Sequence, residues 1–188
     1  MLIEITADAF DVELEIAYAR ADCVAGRALY RRPACYLHPE AATLLGRAVA
    51  LAAAVGLKLR VYDGFRPLEA QAALYAAAPD PTFVSNPETG AIPHCRGAAV
   101  DLTLVDRASE TALDMGAGFD EFTTRSWHGD LSISAEAQRN RALLLGLMSA
   151  AGWDFYAKEW WHYQLFAPRR LPALRDGVLA EPLYTDSV

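Results

Sequence analysis

The sequence predicts an α+β fold, with one domain over residues 1–188 built on a central, mainly antiparallel β-sheet flanked by helices. Segments of helical composition and segments with strand-like alternation mix along the chain. They do so without the regular strand–helix–strand repeat that is typical of a parallel sheet. The chain has 188 residues, of which 53% are hydrophobic, so one core can form without disulfides.

The first half of the chain contains two predicted helices around a predicted strand. Residues 40–55 place Ala and Leu at helical spacing and stop at Gly56, which predicts a helix. Residues 57–63 alternate aliphatic with polar or aromatic side chains and predict a strand with one buried face. Residues 68–78 again have helical composition, and residues 79–93 form a long loop with Pro, Gly and Asn, of the kind that borders binding sites.

The second half continues this mixture. Residues 98–105 are strand-like in composition, and residues 134–152 predict a helix with a serine N-cap and a glycine at its end. Residues 153–166 are aromatic and favour β-structure. The Pro-containing tail from Ala167 onward is expected to wrap the surface.

Charge and composition narrow the functional class. Seventeen basic against 24 acidic residues give a net charge of -7, and no basic run could neutralise phosphates, so nucleic acid is not an expected partner. No stretch approaches the roughly 20 apolar residues of a membrane span, and acids stand near the N-terminus where a secretory signal carries bases. Three cysteines in no metal-like spacing suit a reducing compartment. We therefore expect a cytoplasmic protein without membrane partners, of undetermined oligomeric state.

Two of the four histidines lie close to acids. His94 and Asp101 are seven residues apart, and Glu159 and His162 bracket two tryptophans. Two imidazoles and a carboxylate are a common ligand set for catalytic zinc, which leaves the remaining carboxylate free to act on water. Spacing alone, however, favours the alternative that these are hydrogen-bonded structural groups.

Strand geometry limits how these groups can meet. His94 and Asp101 have opposite parity, so a turn has to intervene, and Gly97 supplies it. If the strand starts near Ala98, His94 can fold back over the face that carries Asp101. Glu159 and His162 would share one helix face, whereas a strand would need a bend between them. At least one of the tryptophans between them is expected to pack in the core.

The chain resembles the D-alanyl-D-alanine dipeptidases, zinc enzymes that are related to the D-Ala-D-Ala carboxypeptidases and share a metal-site fold with the Hedgehog signalling domain. The resemblance rests on "VYDGFRP" (61–67), "HCRGAAVDLTL" (94–104), "MGAGFDEF" (115–122) and the stretch 136–163, which includes "EWWHY". Together these segments span about two thirds of the chain in unbroken order.

The resemblance implies a role for each matching residue. His94, Asp101 and His162 would bind one Zn²⁺, and Glu159 would be the general base. Arg66 would stabilise the tetrahedral intermediate, because a planar, permanently charged donor suits a developing oxyanion. Asp120 would bind the free amino group of the substrate.

The implied function is zinc-dependent hydrolysis of D-Ala-D-Ala or a similar small D,D-dipeptide in peptidoglycan metabolism. One alternative is a D-Ala-D-Ala carboxypeptidase or related cell-wall peptidase, against which the "MGAGFD" block and the lack of wall-binding repeats argue. A second is a non-catalytic zinc-binding domain, which would need neither Glu159 nor Arg66. Glycopeptide resistance, wall recycling and D-alanine nutrition would all require the same site.

Several positions depart from the family pattern. Ile92 stands where members often have a serine that contacts the substrate, and Trp127 precedes His128 where many have two histidines. Near the N-terminus, a stretch that retains Tyr18 and Asp22 has Cys23 in place of an asparagine. His128 is therefore open to a substrate-related or a structural role. Cys95 next to His94 is not expected to bind metal, because a neighbour in an extended segment points away.

Overall fold

The main sheet lies at the centre of the molecule. The computed structural model describes residues 1–186. Within them the strands are β1 Ile3–Ile5, β2 Glu13–Leu14, β3 Cys35–Leu37, β4 Leu57–Asp63, β5 Ala99–Asp106, β6 Asp154–Phe155 and β7 His162–Gln164. Five of these form one sheet in the order β2-β4-β5-β7-β6, in which only β2 and β4 are parallel. The predicted α+β fold with a mainly antiparallel sheet is therefore confirmed.

The three predicted α-helices lie within about two residues of their predicted bounds, and one short α-helix was not predicted. In the described part of the chain they are α1 Ala7–Phe10, α2 Pro39–Ala54, α3 Leu68–Ala77 and α4 Ala135–Ala151. The Oγ of Ser134 caps α4 by accepting from the N–H of Ala137, and Gly152 ends the helix at φ +104°. The short elements β1, α1, β2 and β3 have no clear periodicity, and the sequence did not predict them.

The core lies on one face of the sheet. Leu59 and Val61 of β4 pair with Leu104 and Leu102 of β5, so these side chains share a face. They belong to one hydrophobic cluster that includes apolar side chains of α2 and α4. Every second residue of β4 is buried, as the predicted alternation requires.

The opposite face of β5 is also buried, and this face carries the candidate site. Asp101 lies on this face and pairs in register with His162 of β7 and with Asp63 of β4. The register of β4 shifts between Val61 and Asp63, and such an irregularity re-aims the side chains that follow it. The shift thus brings Asp63 beside Asp101.

The tail contacts the body of the protein, as predicted. Leu183 is fully buried, and Tyr184 forms a β-bridge with Tyr30. The carbonyl of Leu174 accepts from the N–H of Leu68, at the start of α3. In the described residues no helix is long and apolar enough to cross a membrane.

Candidate active site and metal centre

A tight turn delivers His94 to the sheet. The residue opens a 3₁₀ helix, His94–Arg96, which ends at Gly97 with φ +61°. A Cβ at Gly97 would lie 2.8 Å from the backbone N of His38, so only glycine fits this turn. The turn returns His94 over the face of β5 that carries Asp101, as the sequence predicts.

Three potential metal ligands meet at this point. Candidate ligand atoms of His94, Asp101 and His162 all lie within 4.8 Å of one another, and all three residues are buried. The Nε2 of His94 is 3.3 Å from Oδ2 of Asp101, and the Nδ1 of His162 is 3.0 Å from Oδ1. The two ring nitrogens are 3.1 Å apart.

Hydrogen bonds on the far side of each ring fix which nitrogen faces the cluster. The Nδ1 of His94 lies 2.7 Å from the carbonyl of Gly64, and the Nε2 of His162 lies 3.2 Å from Oε1 of Gln164. Since both oxygens only accept, these nitrogens carry the ring protons, and the other two face the cluster as acceptors. Two nitrogen lone pairs and a carboxylate that converge in a buried space fit a divalent cation, and this donor set is one that zinc uses.

The electrostatics of the cluster favour an ionised carboxylate. Burial opposes ionisation of Asp101, but the imidazoles of His94 and His162 outweigh it and lower its pKa. Burial likewise opposes protonation of His94, but the Asp101 carboxylate raises its pKa. The ionised carboxylate of Asp101 therefore attracts positive charge to this cluster.

Glu159 lies in a bend immediately before β7. Its N–H donates to the carbonyl of Tyr156, and its own carbonyl accepts from the N–H of His162 at 3.3 Å. This is the bend that the three-residue spacing requires in a strand. The Oε2 atom is 3.8 Å from Nδ1 of His162. Burial, together with Asp101 and Asp120, raises the pKa of Glu159 well above its usual range.

Arg66 forms a buried network. Its Nε and Nη2 donate to Oδ2 of Asp63 at 3.0 and 2.8 Å, and its Nη1 donates to Oε1 of Gln71 at 3.0 Å. Its Nη2 also lies 3.3 Å from the hydroxyl of Tyr18 and 3.8 Å from Oδ2 of Asp101. Arg66 is 6% exposed, and it lines the cavity while it remains paired with Asp63.

Asp120 is joined to Arg66 through Tyr18. The Tyr18 hydroxyl donates to Oδ2 of Asp120 at 3.0 Å while it accepts from Arg66. Burial raises the pKa of Asp120 to about 7, and Arg66 partly opposes that rise. Asp120 has φ +56°, a left-handed conformation that Asp tolerates better than most residues.

The side chains of the three ligands and of Glu159, Arg66 and Asp120 line one cavity of about 220 Å³. This volume is below the roughly 300–1,000 Å³ of typical ligand clefts, so it suits a small molecule. The loop 79–93 covers it: Phe83 stacks on Phe122 at 4.8 Å, and the hydroxyl of Tyr156 donates to the carbonyl of Thr82 at 3.0 Å. The loop predicted to border a binding site thus lines this cavity.

The two tryptophans have different neighbours, and both are buried. Trp161 lines the cavity and contacts Phe119 edge to face at 5.3 Å. Trp160 lies on the far side, where the guanidinium of Arg141 stands 5.9 Å from its ring. Both therefore support the segment that carries Glu159.

Of the residues at which the sequence departs from the family pattern, Ile92 lines the cavity, whereas His128, Cys23 and the neighbouring Cys95 do not. His128 packs edge-on against Phe155 and Tyr163, and burial lowers its pKa to about 4. The Sγ of Cys23 donates to the carbonyl of Arg27, and burial raises the pKa of Cys95 to about 12.

Three residues that contact the site's side chains received no site role from the sequence. Asp63 ends β4, Gln71 lies on α3, and Gln164 follows His162 at the spacing that keeps both on one strand face. The acid that closes a strand just before "GFRP" was an available signal for Asp63. Nothing in the spacing of Gln71 indicates its contact with Arg66.

An α+β scaffold whose cavity carries a buried His-Asp-His cluster that could hold a metal ion is an arrangement that a peptidase can use. Residues 2–169 match the family model described as D-ala-D-ala dipeptidase (Peptidase M15), and the chain belongs to that peptidase family.

Relatives carry the same description. The chain is 43% identical over 166 residues to the D-alanyl-D-alanine dipeptidase of Escherichia coli (strain K12), covering 88% of this chain and 85% of that protein. It is 33% identical over 143 residues to the D-alanyl-D-alanine dipeptidase of Enterococcus faecium, covering 67% and 71%. For that of Streptomyces coelicolor the identity is 31% over 138 residues, covering 64% and 68%.

Proposed function

We propose that this protein is a zinc-dependent dipeptidase that hydrolyses D-Ala-D-Ala or a closely similar small D,D-dipeptide. The observation that carries the proposal is the convergence of the His94, Asp101 and His162 ligand atoms within 4.8 Å, in a cavity that Glu159 and Arg66 also line. The names of the relatives support the choice of substrate.

Each group has a chemical role in this reaction. Zinc held by the three ligands would acidify water and polarise the scissile carbonyl. Glu159 accepts the proton of the attacking water and returns it to the leaving amine, and its place on the cavity wall beside His162 suits that task. Arg66 donates to the oxygen on which negative charge develops, and its buried position strengthens that interaction.

Asp120 gives the site its preference for a free amine. A dipeptide carries an ammonium group at one end, and a carboxylate on the cavity wall pairs with it. The Tyr18 hydroxyl holds the Asp120 carboxylate in place at 3.0 Å. A longer peptide would present a neutral amide there instead of a charge.

The alternatives fit the site less well. A carboxypeptidase needs a path for the rest of its peptide, whereas the loop 79–93 lies against this cavity through the stack of Phe83 on Phe122 and the hydrogen bond from Tyr156 to Thr82. A non-catalytic zinc domain gives no reason to bury Glu159 and Arg66 beside the ligands. We place the reaction within one domain and in a reducing compartment such as the cytoplasm, where Cys23, Cys35 and Cys95 stay free.

Purified protein of measured zinc content, assayed against D-Ala-D-Ala, L-Ala-L-Ala and an N-acetylated tripeptide, tests the function. We expect cleavage of D-Ala-D-Ala alone, and loss of that activity on chelation with recovery when zinc is added. Preferential cleavage of the tripeptide would favour the carboxypeptidase, and stoichiometric zinc without turnover of any of the three would favour the binding domain.

A further inference from the structure

We propose that Gln71 is a positioning residue that joins the loop over the cavity to the catalytic guanidinium of Arg66. This inference rests on the proposed function, because it assigns Arg66 to the reaction. Gln71 lies on α3, is 2% exposed and has both ends of its amide engaged.

The two ends of the amide reach different parts of the site. The Oε1 atom accepts from Nη1 of Arg66 at 3.0 Å, and the Nε2 atom donates to the carbonyl of Ser85 at 2.6 Å. Ser85 belongs to the loop 79–93, and both it and its neighbours Phe83 and Val84 line the cavity. The planar amide of Gln71 therefore connects the loop over the cavity to Arg66, the only arginine among the described residues that line the cavity.

The donors of Arg66 show what this contact fixes. A guanidinium has five N–H groups in one plane. Within the described residues, the N–H of Nε donates to Asp63, and the two N–H groups of Nη2 donate to Asp63 and Tyr18. One N–H of Nη1 donates to Gln71. The second N–H of Nη1 is the one left for a substrate oxygen.

Gln71 controls this remaining donor in two ways. It prevents the first N–H of Nη1 from competing for the oxyanion in an unproductive geometry. It also keeps the guanidinium plane from rotating about its contacts with Asp63, which all use one oxygen, Oδ2. Because the amide is pinned by Ser85, the aim of Arg66 depends on the loop being in place.

The test replaces Gln71 by methionine, which has a similar length and neither hydrogen bond. We expect kcat for D-Ala-D-Ala to fall by about 10- to 100-fold, as for other groups that orient a catalytic residue, with KM within about twofold and zinc content unchanged. Hydrogen exchange of the loop 79–93 should become faster. Gln138→Met on α4 is the matched control, since its amide also donates to a carbonyl, that of Ile133, at 3.2 Å.

A second variant separates the two ends of the amide. Gln71→Glu keeps an acceptor for Arg66 but cannot donate to Ser85. We expect its kcat to lie between those of the wild type and Gln71→Met, while its loop exchanges as fast as in Gln71→Met.

A double-mutant cycle distinguishes positioning from a general structural effect. If Gln71 acts through Arg66, then Arg66→Lys combined with Gln71→Met should be no slower than Arg66→Lys alone. Full additivity of the two losses, or an unchanged kcat in Gln71→Met, overturns the inference while the proposed function stands. A wild-type protein that carries zinc and cleaves no dipeptide overturns the proposed function instead.

Discussion

Replacing Asp120 by asparagine separates recognition of the substrate amine from the chemistry at the metal site. Asparagine has nearly the same shape, and its carbonyl oxygen can still accept from the hydroxyl of Tyr18, which lies 3.0 Å from Oδ2 of Asp120. The substitution therefore removes the charge and leaves the local packing intact.

The magnitude follows from the kind of contact that is lost. A hydrogen bond to a charged group contributes about 1.5–3 kcal/mol and a neutral one about 0.5–1.5 kcal/mol. Losing the charge should cost about 1–2 kcal/mol, or roughly 5- to 30-fold in kcat/KM for D-Ala-D-Ala. An N-acetylated dipeptide has no ammonium group, so its much lower kcat/KM should hardly change.

The pH dependence gives a second measurement. Burial raises the pKa of Asp120 to about 7, so the charged form, and with it kcat/KM for the free dipeptide, should increase through neutral pH in the wild type. Asp120→Asn should lack this limb. Because the folded pKa lies above the unfolded value of 3.8, ionisation of Asp120 costs stability. The variant should thus gain stability relative to the wild type as pH rises from 3.8 to about 7, and keep that gain above it.

The assay compares both substrates with both proteins over this pH range, and urea unfolding supplies the stabilities. Asp120→Glu is the companion variant, since it keeps the charge but misplaces it. If Asp120→Asn lowered kcat/KM equally for the free and the acetylated dipeptide, Asp120 would not bind the amine.

The other predictions concern the metal, the base and a distant histidine. Glu159→Gln should keep zinc, as measured by metal analysis, and lose roughly 10²- to 10⁴-fold in kcat, the usual contribution of a general base; unchanged turnover would exclude Glu159 from that role. His162→Ala should lose zinc at concentrations where the wild type retains it, and equal zinc content in both proteins would contradict the ligand assignment. His128 has a folded pKa of about 4 against 6.5 when unfolded, so it stays neutral in the fold and its stability contribution is lost as pH falls through that interval. The urea midpoint of His128→Gln should therefore change less than that of the wild type between pH 6.5 and about 4. Its kcat should be unchanged, because His128 does not line the cavity.

The sequence predicts best where a local pattern has one physical solution. The alternation in residues 57–63 allows only a strand with one buried face, and the observed β4 has those bounds. The parity of His94 and Asp101 required a turn, which Gly97 makes at φ +61°. Short strands such as β2, with two residues, carry no period and depend on tertiary pairing.

The network around Arg66 could not be predicted in the same way. The hydroxyl of Tyr18 meets Asp120 across 102 positions of sequence, and Gln71 meets Ser85 across 14. Such contacts leave no periodic trace, because either partner could instead be an ordinary surface polar residue. The family resemblance indicated the candidate ligands and catalytic residues, whereas most of the groups that hydrogen-bond to them became visible only in the fold.

Ile92 shows how the cavity can be selective without a hydrogen bond. It is 5% exposed, lines the cavity and has φ +42°, a conformation that costs a β-branched residue on the order of 1–3 kcal/mol. The surroundings hold it there: its carbonyl accepts from the N–H of Cys95 at 3.1 Å, and the carbonyl of Pro93 accepts from the N–H of Ala98 at 3.1 Å. The same bonds fix the turn that carries His94, so the strained conformation and the ligand geometry are maintained together. Since the isoleucine side chain offers no polar atom, we expect this wall to discriminate by volume, whereas Asp120 in the proposed function would discriminate by charge.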